Sequence, residues 1–282
     1  MSFFAFGIAA LSMYGFCYYQ NNKIQITRFN VASNTNDNIR VLQLSDLHSK
    51  EFGNSNKVLF NKIIGEQPDI VVATGDLIDS SMKKIDNIVY FLAKVNNEIP
   101  VFYIPGNNEM RCNRLKEILY KLMSNNITVL NNEIKTIKIK STIINILGLV
   151  ENRVDDGELF YEKVKSKYEG KESDYLLTKL EKMNGLKLVL SHYPENYEAN
   201  KDIAYNRYKF DIMFSGHAHG GQFILPFIGG LFAPGQGILP KYYSGIYGKD
   251  NKLIVSRGLG NSGFPLRLLN RPNIVVVEIL RE

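Results

Sequence analysis

The chain contains four histidines, His48, His192, His217 and His219, and each comes immediately after a short apolar run. Asp46, Asp76 and Asn107 stand at the equivalent ends of such runs, in "SDLH", "GDLID" and "GNNE". In a parallel sheet the C-terminal strand ends form one rim, so residues far apart in sequence can converge there. Histidines, carboxylates and a neutral amide oxygen, with no thiolate, make a nitrogen/oxygen ligand set. Such a set suits Mn, Fe, Zn or Co more than a cysteine-rich structural zinc site. The local spacings fit this reading. Asp46 and His48 are two apart, so an extended backbone places both on one side. His217 and His219 repeat the spacing in "GHAHG", where flanking glycines allow close backbone approach. A lone "DLH" is a common tripeptide. Five such corners in order, each behind an apolar strand, point to one site.

The elements that must position these residues are readable as well. "IRVLQLSDLH", "PDIVVATGDLID", "IPVFYIPGNNE", "LKLVLSHYP" and "FDIMFSGHAHGG" are continuous apolar runs of strand length. That is the pattern of strands buried on both faces. Segments with helical spacing lie between the first three and after the third, at about 54–65, 81–96 and 111–124. Alternating strand and helix predicts an α/β sheet with helices on its faces. Past Thr128 the pattern turns to consecutive hairpin strands, and "NKLIVSRGLG" and "NIVVVEIL" add more near the C-terminus. The expected object has two packed sheets with helices outside.

A chain of 282 residues can bury a substantial core, and its 45% apolar and 22% charged content excludes global disorder. The net charge of +6 suits a nucleic acid, an anionic lipid surface or a phosphorylated substrate. There is no dense Lys/Arg block and no aromatic-basic platform, so no nucleic-acid partner is expected. Cys17 and Cys112 form no framework, and Cys17 lies in an apolar N-terminal run, which argues against a bridge. That run, "MSFFAFGIAALSMYGFCYY", carries no charged side chain over nineteen residues. A membrane helix needs about 20. Tyr18 and Tyr19 fall where an interfacial belt would put them, and no basic n-region marks a cleavable signal. Residues 1–22 are therefore expected to anchor the chain in the cell membrane as a hydrophobic helix, with residues 23–282 as one catalytic domain. A buried helix or an interfacial segment is the alternative. Lys23 and Arg28 follow the segment and nothing basic precedes it, which by the positive-inside rule would hold the remainder in the cytoplasm.

The series "SDLH", "GDLID", "GNNE", "SHYP", "GHAHGGQ" resembles the calcineurin-like metallophosphoesterase family, whose pattern is D-x-H, G-D-x-x-D, G-N-H-D/E, a single H, and G-H-x-H. The closing "VSRGLGNSGFPLRLLNRPNIVVVEI" is similar to the tail of the family's bacterial, membrane-associated branch, whose members tend to carry an N-terminal hydrophobic segment. The resemblance implies a four-layer α/β/β/α sandwich and a metal-dependent phosphoric ester hydrolase using two divalent ions. It implies one ion held by Asp46, His48 and His219, the other by Asn107, His192 and His217, and Asp76 bridging both. Attack would come from a metal-bridging hydroxide. Asp79 would be structural, orienting a ligand from behind, and Gly220, Gly221 and Gln222 would shape the rim.

The chain departs from the pattern at Asn108, where the family has a histidine whose charge is set by the following acid, here Glu109. An asparagine donates a hydrogen bond to a phosphate oxygen but delivers no proton near neutral pH. Asn108 is thus the catalytic candidate, and a phosphodiester or diphosphate bond is favoured over a monoester. A lipid-linked or nucleotide-diphosphate substrate would suit the anchor, since some relatives are assigned as UDP-diacylglucosamine pyrophosphohydrolases. The alternatives are a broad phosphomonoesterase, or a low-turnover metal- or phosphate-binding protein of the cell envelope. The complete ligand set argues against the second. Arg257, Arg267 and Arg271 lie in "RGLGNSGFPLRLLNRP". Guanidinium groups there would suit an anionic head group, but a solvated loop is the favoured reading for each.

Overall fold

The computed structural model describes residues 2–79, 81, 84–150, 171–198, 204–261 and 263–282. Its first sheet is built on β2 (Ile39–Leu44), β3 (Ile70–Ala73), β4 (Val101–Tyr103) and β5 (Thr128–Val129), which run parallel. The C-terminal strand β16 (Asn273–Arg281) lies antiparallel beside β2, and β1 (Gln25–Ser33) lies parallel beside β16. The second sheet has β8 (Leu186–Ser191) at its middle, parallel to β7 (Thr142–Leu149) and to β9 (Ile212–Ser215). β15 (Lys252–Val255) continues it in parallel beyond β9. Its edges are antiparallel, with β6 (Glu133–Ile139) on β7 and β14 (Gly245–Tyr247) on β15. Two short ribbons, β10 (Ile224–Leu225) with β11 (Gly229–Gly230) and β12 (Phe232–Ala233) with β13 (Gly237–Ile238), complete the strands among the described residues.

The strand sequences dictate the layering. Ile39 and Val41 of β2, Ile70 and Val72 of β3, and Val275, Val277 and Ile279 of β16 turn toward the other sheet. There they meet Ile144 and Ile146, Leu186, Leu188 and Leu190, and Ile212 and Phe214. The alternate residues, Leu42 and Leu44, Val71 and Ala73, and Ile274 and Val276, face outward. They pack under α2 (Lys57–Gly65), α3 (Ile85–Asn96) and α5 (Leu115–Ser124). On the far side Val189, Met213, Leu253 and Val255 pack with Leu176, Leu177 and Leu180 of the helix Lys171–Glu181. Side chains alternate across a strand, so strands apolar at every position require cover on both faces. The result is helix, sheet, sheet, helix, the expected α/β/β/α sandwich.

The N-terminal helix also forms, as α1 (Ser2–Asn22). The expected membrane span does not follow from it, because among the described residues no helix is long and apolar enough to cross a membrane. Its last turn is polar and bolted to the rest of the chain. Lys50 Nζ donates to Asn21 O. The Arg267 N–H and Asn261 Nδ2 both donate to Asn21 Oδ1, at 3.2 and 3.1 Å. Gln20 and Asn21 are buried, while Phe6, Ile8, Leu11, Met13, Tyr14, Tyr18 and Tyr19 are exposed. Cys17 and Cys112 are both free thiols, as the sequence suggests.

Candidate metal centre

Five strands deliver the predicted residues to one rim. Asp46 and His48 follow β2, Asp76 follows β3, Asn107 follows β4, His192 follows β8, and His217 and His219 follow β9. The turns after β2 and β3 are laced together by backbone bonds. The N–H groups of Asp46, His48 and Ser49 donate to Gly75 O, Asp76 O and Leu77 O at 3.0, 3.0 and 2.9 Å. This pairing holds two ligand-bearing turns at fixed separation before any side chain is considered. Asp46, His48, Asp76, His217 and His219 all adopt left-handed backbone, with φ of 50°, 47°, 51°, 65° and 48°. Non-glycine residues rarely adopt that conformation, and such outliers gather at functional sites.

Two sets of donors result. One atom each from Asp46, His48 and His219 lies within 4.8 Å of the others, and the same holds for Asp76, His192 and His217. His48 Nε2 and His219 Nε2 approach to 3.1 Å. Asp76 stands between the sets, with Oδ2 at 3.6 Å from His192 Nε2 and 3.9 Å from His48 Nε2. Asn107 Oδ1 lies 3.2 Å from His192 Nε2. Behind it, His192 Nδ1 donates to Thr74 O at 2.7 Å, which leaves Nε2 to face the site. All seven sequence-derived ligand candidates are therefore brought together.

The electrostatics fit a cation. Asp46 Oδ2, His217 Nε2 and His219 Nδ1 are buried with no hydrogen-bond partner, an arrangement that is costly unless something else supplies one. Burial, aided by neighbouring histidines, pushes His217 and His219 well below the ordinary imidazole pKa, so both are neutral as metal ligation requires. Burial also raises the Asp46 carboxyl, and the Asp76 charge adds to that. For Asp76 burial works in the same direction, but the charge and hydrogen bond of His192 outweigh it and hold the carboxyl low. His192 is raised correspondingly to about 10, with burial opposing and Asp76 prevailing. Uptake of a cation here would displace the His192 proton.

"GNNE" is more than a turn. Gly106 leads into the short helix α4 (Asn107–Arg111). A Cβ on Gly106 would lie 2.3 Å from Asp76 Oδ1, so only glycine lets the two turns touch. Asn108 enters the centre of the site. Its N–H donates to Asp76 Oδ1 and its Nδ2 to Asp76 Oδ2, both at 2.7 Å, while Nδ2 also lies 3.1 Å from His48 Nδ1. With asparagine at 108, Glu109 has no neighbouring histidine whose charge it could set, and it serves the backbone instead. It is fully buried, and its carboxylate accepts the N–H groups of Asp76, Ile78 and Gly106 at 2.9, 3.0 and 3.0 Å. Burial and the Asp76 charge raise it to about 7. Glu109 thus pins one ligand turn to the other.

Asp79 stays local, its Oδ1 accepting Ser81 N–H and Oγ–H at 3.1 and 2.6 Å. Asn270 is a site residue that sequence reasoning missed; its Nδ2 donates to His219 O at 2.7 Å and to Gln222 O at 3.1 Å. It holds the turn that carries the last histidine. An asparagine in a loop some fifty residues away has no spacing signal that would reveal this.

The family model of the calcineurin-like phosphoesterases matches residues 39–221. An uncharacterized metallophosphoesterase of Aquifex aeolicus is 30% identical over 86% of this chain and 85% of its own length. The phosphodiesterase YaeI of Escherichia coli is 27% identical over 97% of this chain and 95% of its own. Among solved structures, GAP50, the anchor in the inner membrane complex of Plasmodium, superposes with a TM-score of 0.50 at 14% identity, over 85% of this chain and 80% of that one.

Proposed function

The chain belongs to the calcineurin-like phosphoesterase family, and on that premise we propose that it hydrolyses a phosphodiester or diphosphate bond. Asp46, His48 and His219 would hold one divalent ion, Asn107, His192 and His217 a second, and Asp76 would be shared between them. Ions so held would supply Lewis acidity toward the phosphate oxygens and a nucleophilic water near neutral pH. The protein's own part is to keep His217 and His219 neutral, to fix His192 through Thr74 O, and to lock the two carboxylate turns together through Glu109.

Asn108 is the observation that carries the choice of bond. It sits against His48 and Asp76, where the family pattern has histidine. There its amide can orient a phosphate oxygen, but it has no proton to give to a departing alkoxide. A diester with a good leaving group, or a diphosphate, has less need of that proton. The name of the Escherichia coli relative, a phosphodiesterase, supports the same reading.

An amphiphilic, lipid-linked substrate at a membrane surface is supported by what surrounds the rim. The ribbons that follow His219 expose Phe227, Ile228, Ile238 and Leu239, and the neighbouring loop exposes Phe264, Leu266 and Leu269. Tyr14, Tyr18 and Tyr19 of α1 are exposed as well, and the end of that helix docks on the same loop. The test of bond preference is a hydrolysis panel with manganese, comparing bis-p-nitrophenyl phosphate and nucleotide-diphosphate sugars with glycerol 3-phosphate, an alkyl monoester whose leaving alkoxide needs a proton. We expect diester or diphosphate turnover to exceed monoester turnover by at least tenfold. Monoester turnover far above both would contradict the role given to Asn108.

A further inference from the structure

The arginines of the loop after β15 differ sharply in their surroundings. Arg267 is 2% exposed, and its guanidinium donates to Arg257 O, Gly260 O, Asn261 Oδ1 and Asn270 O. Every face of it meets a protein acceptor, so its work is structural. Arg271 is half-buried and lies against Tyr19 of α1, its guanidinium carbon 5.3 Å from the ring centroid and Nη1 donating to the hydroxyl at 2.7 Å. Arg257 is only 8% exposed, yet among the described residues its guanidinium has no hydrogen-bond or carboxylate partner. Burial, and behind it the like charge of Arg271, lower its pKa to about 10. A buried guanidinium whose charged neighbour is another guanidinium is unfavourable by itself.

Its position gives that cost a use. Arg257 precedes Gly258, whose left-handed backbone (φ +69°) packs on Asp46 so closely that a Cβ would lie 2.7 Å from Asp46 Cβ. The N–H groups of Leu259 and Gly260 then donate to Asp46 O at 3.2 and 2.6 Å. Arg257 is therefore tied to the metal-ligand rim on one side. On the other side its carbonyl accepts from Arg267 Nη1 at 2.9 Å, and the Arg267 N–H donates to Asn21 Oδ1 at 3.2 Å, next to the last turn of α1 on which Arg271 also rests.

We propose that Arg257 and Arg271 form a phosphate-binding subsite between the rim and the end of α1. A phosphate dianion accepts the bidentate fork of a guanidinium, and two forks with no competing carboxylate match its charge. The phosphate has two possible sources, a second phosphate group on a soluble substrate or a phospholipid head group at the surface beside α1. This subsite rests on the arginines and not on the metal reading, and the test keeps them apart.

The full chain carrying Asp76→Asn, which removes the shared carboxylate and leaves the arginines intact, is titrated with inorganic phosphate while its Tm is followed. We expect phosphate to raise the Tm, and a further Arg257→Met to weaken the apparent phosphate affinity at least tenfold. Without phosphate, Arg257→Met should not lower the Tm, because an apolar side chain replaces an unpaired buried charge. Arg267→Met, which strips acceptors of their donor, should lower it. In parallel the native chain is co-sedimented with phosphatidylcholine vesicles with and without phosphatidic acid. Loss of the preference for phosphatidic acid in Arg257→Met and Arg271→Met identifies the head group as the source. Unchanged sedimentation with a weakened phosphate response identifies the soluble source. If neither the phosphate response nor the vesicle preference depends on Arg257, the subsite does not exist.

Discussion

The strand-end rim and the loop that follows β15 both collect charge around buried backbone, and they do so by opposite means. At the rim, carboxylates and imidazoles alternate. Asp76 faces His192 and His48, Asp46 faces His219, and each of the two sets brings three donor atoms within 4.8 Å of one another. In the loop the charges are of one sign, and carbonyls do the work that carboxylates do at the rim. Arg267 is satisfied by backbone and amide oxygens, Arg271 by a tyrosine, and Arg257 by nothing among the described residues. An unpaired acceptor calls for a cation and an unpaired cation for an anion, so the two regions read as complementary halves of one phosphate-handling surface.

That contrast breaks most visibly at Asp76. Asp76→Asn should cost on the order of 10²–10³-fold in kcat/KM, the scale of removing a centrally placed electrostatic group, and should lower the metal content of the purified chain. Full activity would remove the shared-carboxylate role. In the loop the largest effect belongs to Arg267. Arg267→Met should cost about 3–5 kcal/mol of stability in denaturant unfolding, the range for stripping a buried hydrogen-bonded charge from its partners. Arg257→Met should cost close to nothing on the same assay. Similar losses for both would erase the distinction drawn between them.

Restoring the family residue probes the site's centre. Asn108→His should raise turnover of an alkyl monoester by about 10²-fold, the lower end of what a positioned general acid contributes, with a much smaller gain on bis-p-nitrophenyl phosphate. An equal gain on both would show that the side chain acts on binding alone. A smaller effect at the site is expected at Glu109. Glu109→Gln keeps one acceptor oxygen and should weaken metal affinity about tenfold, at the low end for residues that orient ligands from behind. Metal titration followed by calorimetry reads this directly.

The ligands and the strands that carry them were legible because each element needs only local information. An apolar run of strand length, then a polar corner, reports both burial and chain reversal, and five repeats of that plan place Asp46, Asp76, Asn107, His192 and His217 on one rim. What escaped depends on contacts distant in sequence. The left-handed backbone at Asp46, His48 and Asp76 accompanies the lacing of the turn after β2 to the turn after β3. Glu109, whose counterpart in the family pattern sets the charge of a histidine this chain lacks, is a backbone clasp, and its target N–H groups at Asp76 and Ile78 lie some thirty residues upstream. Arg257, Arg267 and Arg271 read alike in a glycine-rich loop. Only the docking of Asn21 and Tyr19 from α1 decides which is bolted in and which is left with its charge unspent. The same docking draws the polar last turn of α1 into the fold, which the apolar count of the N-terminal run did not anticipate.

The claim at the centre is that two ligand sets, joined by Asp76, work as a pair. The most direct measurement is turnover of bis-p-nitrophenyl phosphate as chelator-treated protein is titrated with manganese. Turnover should be absent after chelation and should saturate at two ions per chain. Saturation at one ion, or full turnover with none, would contradict the paired site.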